Sequence, residues 1–395
     1  MRVLISCIPQ TGHLFPLLPL AEALAAQGDD VLVATGADGA EVVRARGLAF
    51  RETGPSFGEW YEALRARTRG VPGDGLPPER VERYFLPRLF GEVGTALVVD
   101  DLMDAAAEHS PTLMVFDPVM FAAPLVATKR GIAAVQHTVG PLYDDATLDL
   151  VADAVSPIWR EFGLTVPPAA GMFADTTLAI CPPSLDPAAA ARPRLEPLRP
   201  VDLPAATVPR LPHGYPEPNR PLVYLTLGTF SNTNLDLFRL LLDALTGESV
   251  NLLVTVGRDN DPAALGPTAP NVHVTRFLPQ NELLPHCAAV MHHAGAGTAF
   301  GALAHGLPSV AMPQAADNFT IADRLAAAGA AVTIPPANVT PVAVRDALRL
   351  VLTEPTYSAA AGRLAVEIAA MAAPEEVAVR LTELAARHGS PGGSA

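Results

Sequence analysis

A chain of 395 residues, 49% hydrophobic and 17% charged, has material for two domain cores and lacks the profile of a disordered protein. Its formal net charge of -14 disfavours nucleic acid and anionic membrane surfaces as partners. Cys7, Cys181 and Cys287 lie far apart with no CxxC pair, which fits a reducing cytoplasm better than a disulfide framework.

In chain order, residues 2–8 read as a buried parallel strand. Pro9, Gln10, Gly12 and His13 then interrupt the apolar run, so no signal peptide is expected. A helix from His13 to about Gly28, a strand over Val31–Thr35 and a helix from Asp38 to Arg46 follow, with Gly47 as a C-cap. Residues 54–78, rich in aromatics, arginine, Gly and Pro, read as an excursion from the sheet: either a surface loop with a short helix or a substrate rim. A long helix is predicted over 79–108, then strands over 113–117, 133–138 and 176–181, with a helix over 145–162. Residues 182–221 are proline-rich and read as a linker. Strands are predicted over 222–229, 251–257, 271–277, 288–293, 309–313 and 330–335, with helices over 340–371 and 375–387. Each half repeats the strand–helix alternation of a doubly wound α/β domain, and no run has the length and hydropathy of a membrane span.

The sharpest signal lies at residues 288–318. A strand ends at His292-His293, Ala294-Gly295-Ala296-Gly297 makes a turn poor in side chains, and a helix starts near Thr298. The first helical amides have no partner inside the helix, so a diphosphate can take them, helped by a His293 ring donor and the Thr298 hydroxyl. The turn is neither a P-loop nor the dinucleotide fingerprint. By itself it fits any Rossmann-like unit; its company is more specific. Gln314, Asp317 and Asn318 follow the next strand, where polar side chains suit sugar hydroxyls or simply cap a helix. At the mouth of the first strand–helix unit stands His13, whose ordinary pKa suits a general base, and Asp117 at a neighbouring strand end can orient it.

These motifs, at residues 9–24, 113–117, 226–231 and 277–318, resemble the two-domain inverting natural-product glycosyltransferases of glycosyltransferase family 1, in particular the actinobacterial antibiotic and macrolide branch. The resemblance implies a GT-B fold, two Rossmann-like α/β domains facing each other across a cleft. It implies His13 as base and Asp117 as its partner. It assigns the donor to Gly228, Thr229 and Ser231, to Phe277, Leu278, Pro279 and Gln280, to His293, Ala294, Gly295, Gly297 and Thr298, and to Gln314, Asp317 and Asn318. It further implies metal independence, with a dTDP- or UDP-sugar as co-substrate and no other cofactor. The expected domains are an acceptor domain over 1–200, a linker over 201–220, a nucleotide-sugar domain over 221–373, and a helix with a flexible tail over 374–395 that packs toward the N-terminal domain.

Two departures from the family pattern matter. Many UDP-sugar users carry a ribose-binding glutamate eight residues after the phosphate-contacting histidine, and here that position is Gly301. A deoxyribose donor, dTDP, is therefore favoured over UDP. Asn318 stands where glutamine is common, which leaves the sugar open. Candidate acceptor walls are Phe57, Trp60, Tyr61, Tyr84, Phe85, Met120, Phe121, Val139 and Tyr143, suited to a flat apolar aglycone such as a polyketide or equally to local core. Alternatives are a non-catalytic activator of another biosynthetic enzyme and a nucleotide-sugar epimerase on the same scaffold. A homodimer is compatible with the sequence.

Overall fold

A computed structural model describes residues 1–68, 76, 78–190, 192–201, 219–229, 231–258 and 260–388. Most of the expected 201–220 linker and the Gly/Ser tail lie outside them. Two compact units emerge. The first contains Met1–Ile180, Pro187–Arg199 and the chain from Ala372; the second contains Cys181–Asp186 and Pro200–Met371.

The first unit runs β1 (Arg2–Ser6), α1 (Thr11–Ala26), β2 (Asp30–Thr35), α2 (Ala40–Ala45), β3 (Ala49–Glu52), α3 (Phe57–Thr68) and α4 (Pro78–Phe85). A π-helical stretch, Leu86–Gly94, leads into α5 (Thr95–His109). Then come β4 (Leu113–Phe116), α6 (Ala122–Arg130), β5 (Ala133–His137), α7 (Asp145–Glu161), β6 (Thr176–Ala179), α8 (Pro187–Ala190) and β7 (Leu195–Pro197). The second unit runs β8 (Leu222–Thr226), α9 (Leu235–Leu245), β9 (Asn251–Thr255), β10 (Val272–Thr275), α10 (Gln280–Leu283), β11 (Ala289–His292) and α11 (Ala296–Ala304). It ends with β12 (Ser309–Ala311), α12 (Asn318–Ala327), β13 (Ala331–Thr333), α13 (Pro341–Thr353) and α14 (Pro355–Ala370), before α15 (Pro374–His388) returns to the first unit.

Strand order is β3-β2-β1-β4-β5-β6-β7 in one sheet and β10-β9-β8-β11-β12-β13 in the other, all parallel. Helices cover both faces, so β4, β5, β8, β9 and β11 are buried at every position. In each sheet the order reverses once, between β1 and β4 and between β8 and β11. Ligands of such sheets bind outside the carboxyl ends of the strands at that reversal. Helix α15 packs on α1, where Gln27 Nε2 donates to Ala378 O at 3.2 Å and Thr382 Oγ1 at 3.1 Å. Among the described residues no helix is long and apolar enough to cross a membrane.

Several elements differ from expectation for local reasons. Residues 54–78 contain a regular helix, α3, whose Trp60 and Leu64 are buried. The helix predicted over 79–108 is three segments with a π-helical middle. Gly91 and Gly94 let α7 and the Trp60 ring come close there; a Cβ on Gly94 would lie 2.3 Å from that ring. Pro355 splits the helix predicted over 340–371, because its ring cannot continue the helical hydrogen-bond ladder. β3 lacks a clear apolar alternation and was not expected. β7 falls inside the expected linker, at a sheet edge where Pro197 costs no ladder bond.

Candidate active site

In the first unit the chain leaves β1 and β4 side by side. Asp117 N–H donates to Ser6 O at 3.1 Å, and the carboxylate turns back onto the backbone. Asp117 Oδ2 accepts from Ile8 N–H and Oδ1 from Val119 N–H, each at 2.8 Å. The side chain is fully buried, and two amide donors make that burial tolerable for a carboxylate. His13 sits in the first turn of α1, with Nδ1 3.3 Å from Asp117 Oδ2 and the side chain 21% exposed. The two side chains lie within ion-pair distance, but Nδ1 is buried and makes no aligned hydrogen bond. Catalytic hydrogen bonds often straighten only when substrate binds. Both residues thus meet where the sheet order reverses.

Two neighbours on the same strand ends were not singled out from sequence. Cys7 follows β1; burial and the Asp117 charge push its thiol far up, which removes it as a nucleophile. His137 ends β5, in register just beyond the Phe116–Gln136 pair. Its Nδ1 donates to Thr138 O at 2.7 Å, and burial holds it neutral, with a pKa pushed down to about 4.

In the second unit the corresponding reversal brings Gly228, after β8, against His293, after β11. Gly228 has φ +72°, and a Cβ there would lie 2.3 Å from His293 Cε1. A Cβ on Gly295 would lie 2.3 Å from His293 Nε2. The imidazole stands between two glycines because no side chain fits on either side. Desolvation pushes its pKa down to about 4, so at neutral pH it offers one N–H donor rather than a positive charge. Gly295 caps α11, and the first helical bond is Ala299 N–H to Gly295 O at 2.9 Å. The amides of Ala296, Gly297 and Thr298 are left without helical partners. A Cβ on Gly297 would meet nothing within 4 Å, so this turn opens onto free space. Gln280 Nε2 donates to Thr298 Oγ1 at 3.0 Å, which leaves the hydroxyl proton to point elsewhere.

The remaining expected donor residues divide. Thr229 is exposed beside Gly228, Ser231 opens a short turn, Ser231–Thr233, and Phe230 lies outside the described residues. Phe277 is 41% exposed, with the Arg258 guanidinium 4.0 Å from its ring centre. Both line a cleft of about 490 Å³ with Pro262, Val274, Thr275 and Arg276. Leu278 is buried among Leu283 and Leu284, so its side chain serves the core, and Pro279 leads into α10. Gln314 donates to Met312 O and Pro313 O at 3.0 and 3.2 Å. Asp317 is half-buried at the start of α12. Asn318 is buried, and its amide satisfies its neighbours when the nitrogen faces Ala315 O at 3.0 Å and His293 O at 3.2 Å. In that orientation it braces the His293 turn.

The expected acceptor wall also divides. Phe57, Tyr61, Tyr84 and Phe85 form a half-buried aromatic chain, with ring centres 5.3 Å apart for Phe57–Tyr61 and Tyr84–Phe85 and 6.0 Å for Tyr61–Phe85. Tyr143 packs partly buried against the same core. Trp60, Met120 and Phe121 are at most 2% exposed, and Val139 is also buried. Trp60, on α3, and Met120 and Phe121, after β4, belong to the core of the first unit, and Val139 is buried just after β5.

The buried histidines make stability depend on pH. His137 and His292 have pKa values pushed down by burial to about 4 and about 3, against roughly 6.5 in an unfolded chain. Below about pH 6.5 the unfolded chain takes up these protons first, so stability is complete above that pH and is lost down to the folded values. Each group accounts for roughly 3–5 kcal/mol across that window. Urea unfolding midpoints are expected to fall steadily from pH 7 to 4.5, and His137→Leu to flatten that slope by about one proton. An unchanged slope would contradict the assignment.

Comparison with known proteins places the chain in a family. Residues 239–384 match the profile described as "Erythromycin biosynthesis protein CIII-like, C-terminal domain". The chain is 32% identical to the L-demethylnoviosyl transferase of Streptomyces niveus, over 96% of this chain and 97% of that protein. The solved structure of the glycosyltransferase SnogD from Streptomyces nogalater superposes with a TM-score of 0.77 at 27% identity, covering 98% of this chain and 99% of that one. The Streptomyces sp. SF2575 glycosyltransferase SsfS6, solved with thymidine diphosphate, gives a TM-score of 0.78 at 27% identity over 97% and 99%. With two parallel Rossmann-like sheets and relatedness over nearly its whole length, the chain belongs to the GT-B natural-product glycosyltransferases of the actinobacterial antibiotic branch.

Proposed function

We propose that the chain transfers a deoxysugar from a dTDP-sugar to a hydroxyl of a hydrophobic, polyketide-type aglycone, with inversion. The observation that carries this reading is the His293 ring held between Gly228 and Gly295 beside the open start of α11. A histidine N–H, three free amides and the Thr298 hydroxyl converge there as donors suited to a diphosphate leaving group. His13 takes the acceptor proton as the acceptor oxygen attacks the anomeric carbon. The bond from that carbon to the diphosphate oxygen breaks, and dTDP leaves carrying the negative charge. Asp117, itself fixed by Ile8 and Val119, orients the imidazole and stabilises the imidazolium that forms.

The nucleotide follows from α11. Gly301 offers no carboxylate to a pair of ribose hydroxyls, and a relative at 27% identity was solved with thymidine diphosphate. Calorimetric titration is expected to show dTDP binding about ten-fold more tightly than UDP, the equivalent of one well-made hydrogen bond. Tighter UDP binding would contradict the deoxyribose assignment.

A further inference from the structure

His292, the last residue of β11, points away from any direct role in the transfer, since it is fully buried. Its Nδ1 accepts the N–H of Ala294 at 2.9 Å. A ring nitrogen that accepts carries no proton, so the neutral ring keeps its proton on Nε2. That Nε2–H is buried and has no partner. An unpaired buried donor is destabilising, and an apolar side chain would fill the same space without it. What the histidine adds is the Nδ1 contact.

That contact falls on a strained residue. Ala294 has φ +63°, a left-handed conformation that a residue with a Cβ adopts only when its surroundings enforce it. The next residue, Gly295, touches the His293 ring and caps α11. The flanking carbonyls face donors as well: Met312 N–H donates to His292 O at 2.8 Å, and the Asn318 amide, turned so that its nitrogen faces Ala315 O, also reaches His293 O at 3.2 Å. The direction of the Ala294 peptide therefore sets where His293 and the first α11 amides point.

We propose that His292 is a positioning residue for donor binding: its Nδ1 lone pair holds Ala294 in the left-handed conformation that aims His293 and the α11 amides at the donor diphosphate. This rests on the reading of that turn as the diphosphate site.

Two polar replacements separate the ring nitrogens. Asparagine carries Oδ1 on Cγ, where histidine carries Nδ1, and can accept from an N–H two residues on. Glutamine reaches instead toward the place of Nε2. His292→Asn, His292→Gln and His292→Leu are titrated with dTDP alongside the native protein, and ligand-free melting is followed for each. His292→Asn is expected to stay within about three-fold of the native Kd, while Gln and Leu weaken binding about ten-fold or more. The loss is expected to follow the Nδ1-like acceptor and not the melting temperature. Should the leucine variant fail to fold, the Asn–Gln comparison decides alone. Native-like affinity for Gln with loss for Asn, or equal affinity for all variants that fold, would overturn the role of Nδ1. A native protein that binds no dTDP would sink the diphosphate-site reading, and this inference with it.

Discussion

Replacing His13 with alanine is expected to lower turnover by about 10²–10⁴-fold while leaving dTDP affinity within about two-fold of native. His13 belongs to the first unit and the proposed diphosphate donors to the second, so the two effects are expected to separate. Removing the ring takes away the proton acceptor for the attacking hydroxyl but leaves His293 and α11 untouched. Asp117→Asn is a sharper companion. It keeps the size of the side chain but puts an amide where Oδ2 accepts from Ile8 N–H and faces His13 Nδ1. The imidazolium that forms as the acceptor is deprotonated loses its carboxylate partner, so turnover should fall while dTDP affinity stays near native. Native turnover in His13→Ala, measured as dTDP release, would remove the base assignment.

Gly228→Ala is expected to raise the dTDP Kd by about 10- to 100-fold, from a strained backbone and a displaced ring together. The glycine has φ +72°, and its added methyl would stand 2.3 Å from His293 Cε1, so the imidazole must rotate away. Gly131→Ala is the matched control. Gly131 also has a positive φ, +67°, but a Cβ there meets nothing within 4 Å. It should lose about 1 kcal/mol of stability and no dTDP affinity. Equal affinity for Gly228→Ala and the native protein would mean that the His293 ring takes no part in holding the diphosphate.

Much of this was legible in the sequence because the strands are buried on both faces. Runs such as Val3-Leu4-Ile5 and Leu222-Val223-Tyr224-Leu225 read as buried parallel strands, and their alternation with helices points to the doubly wound sheet type. Asp117 and His293, which follow the neighbouring strands β4 and β11, inherit their place from the topology. What stayed hidden depends on direction rather than spacing. Trp60 reads as a wall aromatic from its neighbours, yet α3 turns it inward onto Gly94. Asn318 reads from sequence as a sugar ligand or a helix cap, and spacing alone does not show that it is buried with its amide beside the His293 carbonyl. His292 was passed over beside His293, although strand alternation puts adjacent side chains on opposite faces and so gives the two rings different surroundings. β7 was lost in the proline-rich stretch because three residues at a sheet edge leave no periodicity to read.

The most direct test of the account is product mass spectrometry with the native chain, a panel of dTDP-deoxysugars and UDP-sugars, and a panel of aromatic and macrolide polyketide aglycones. The account predicts an aglycone mass raised by one deoxysugar residue, stoichiometric dTDP release, an inverted anomeric centre, and loss of all three with His13→Ala. Donor consumed without any glycosylated aglycone, or a retained anomeric configuration, would contradict it.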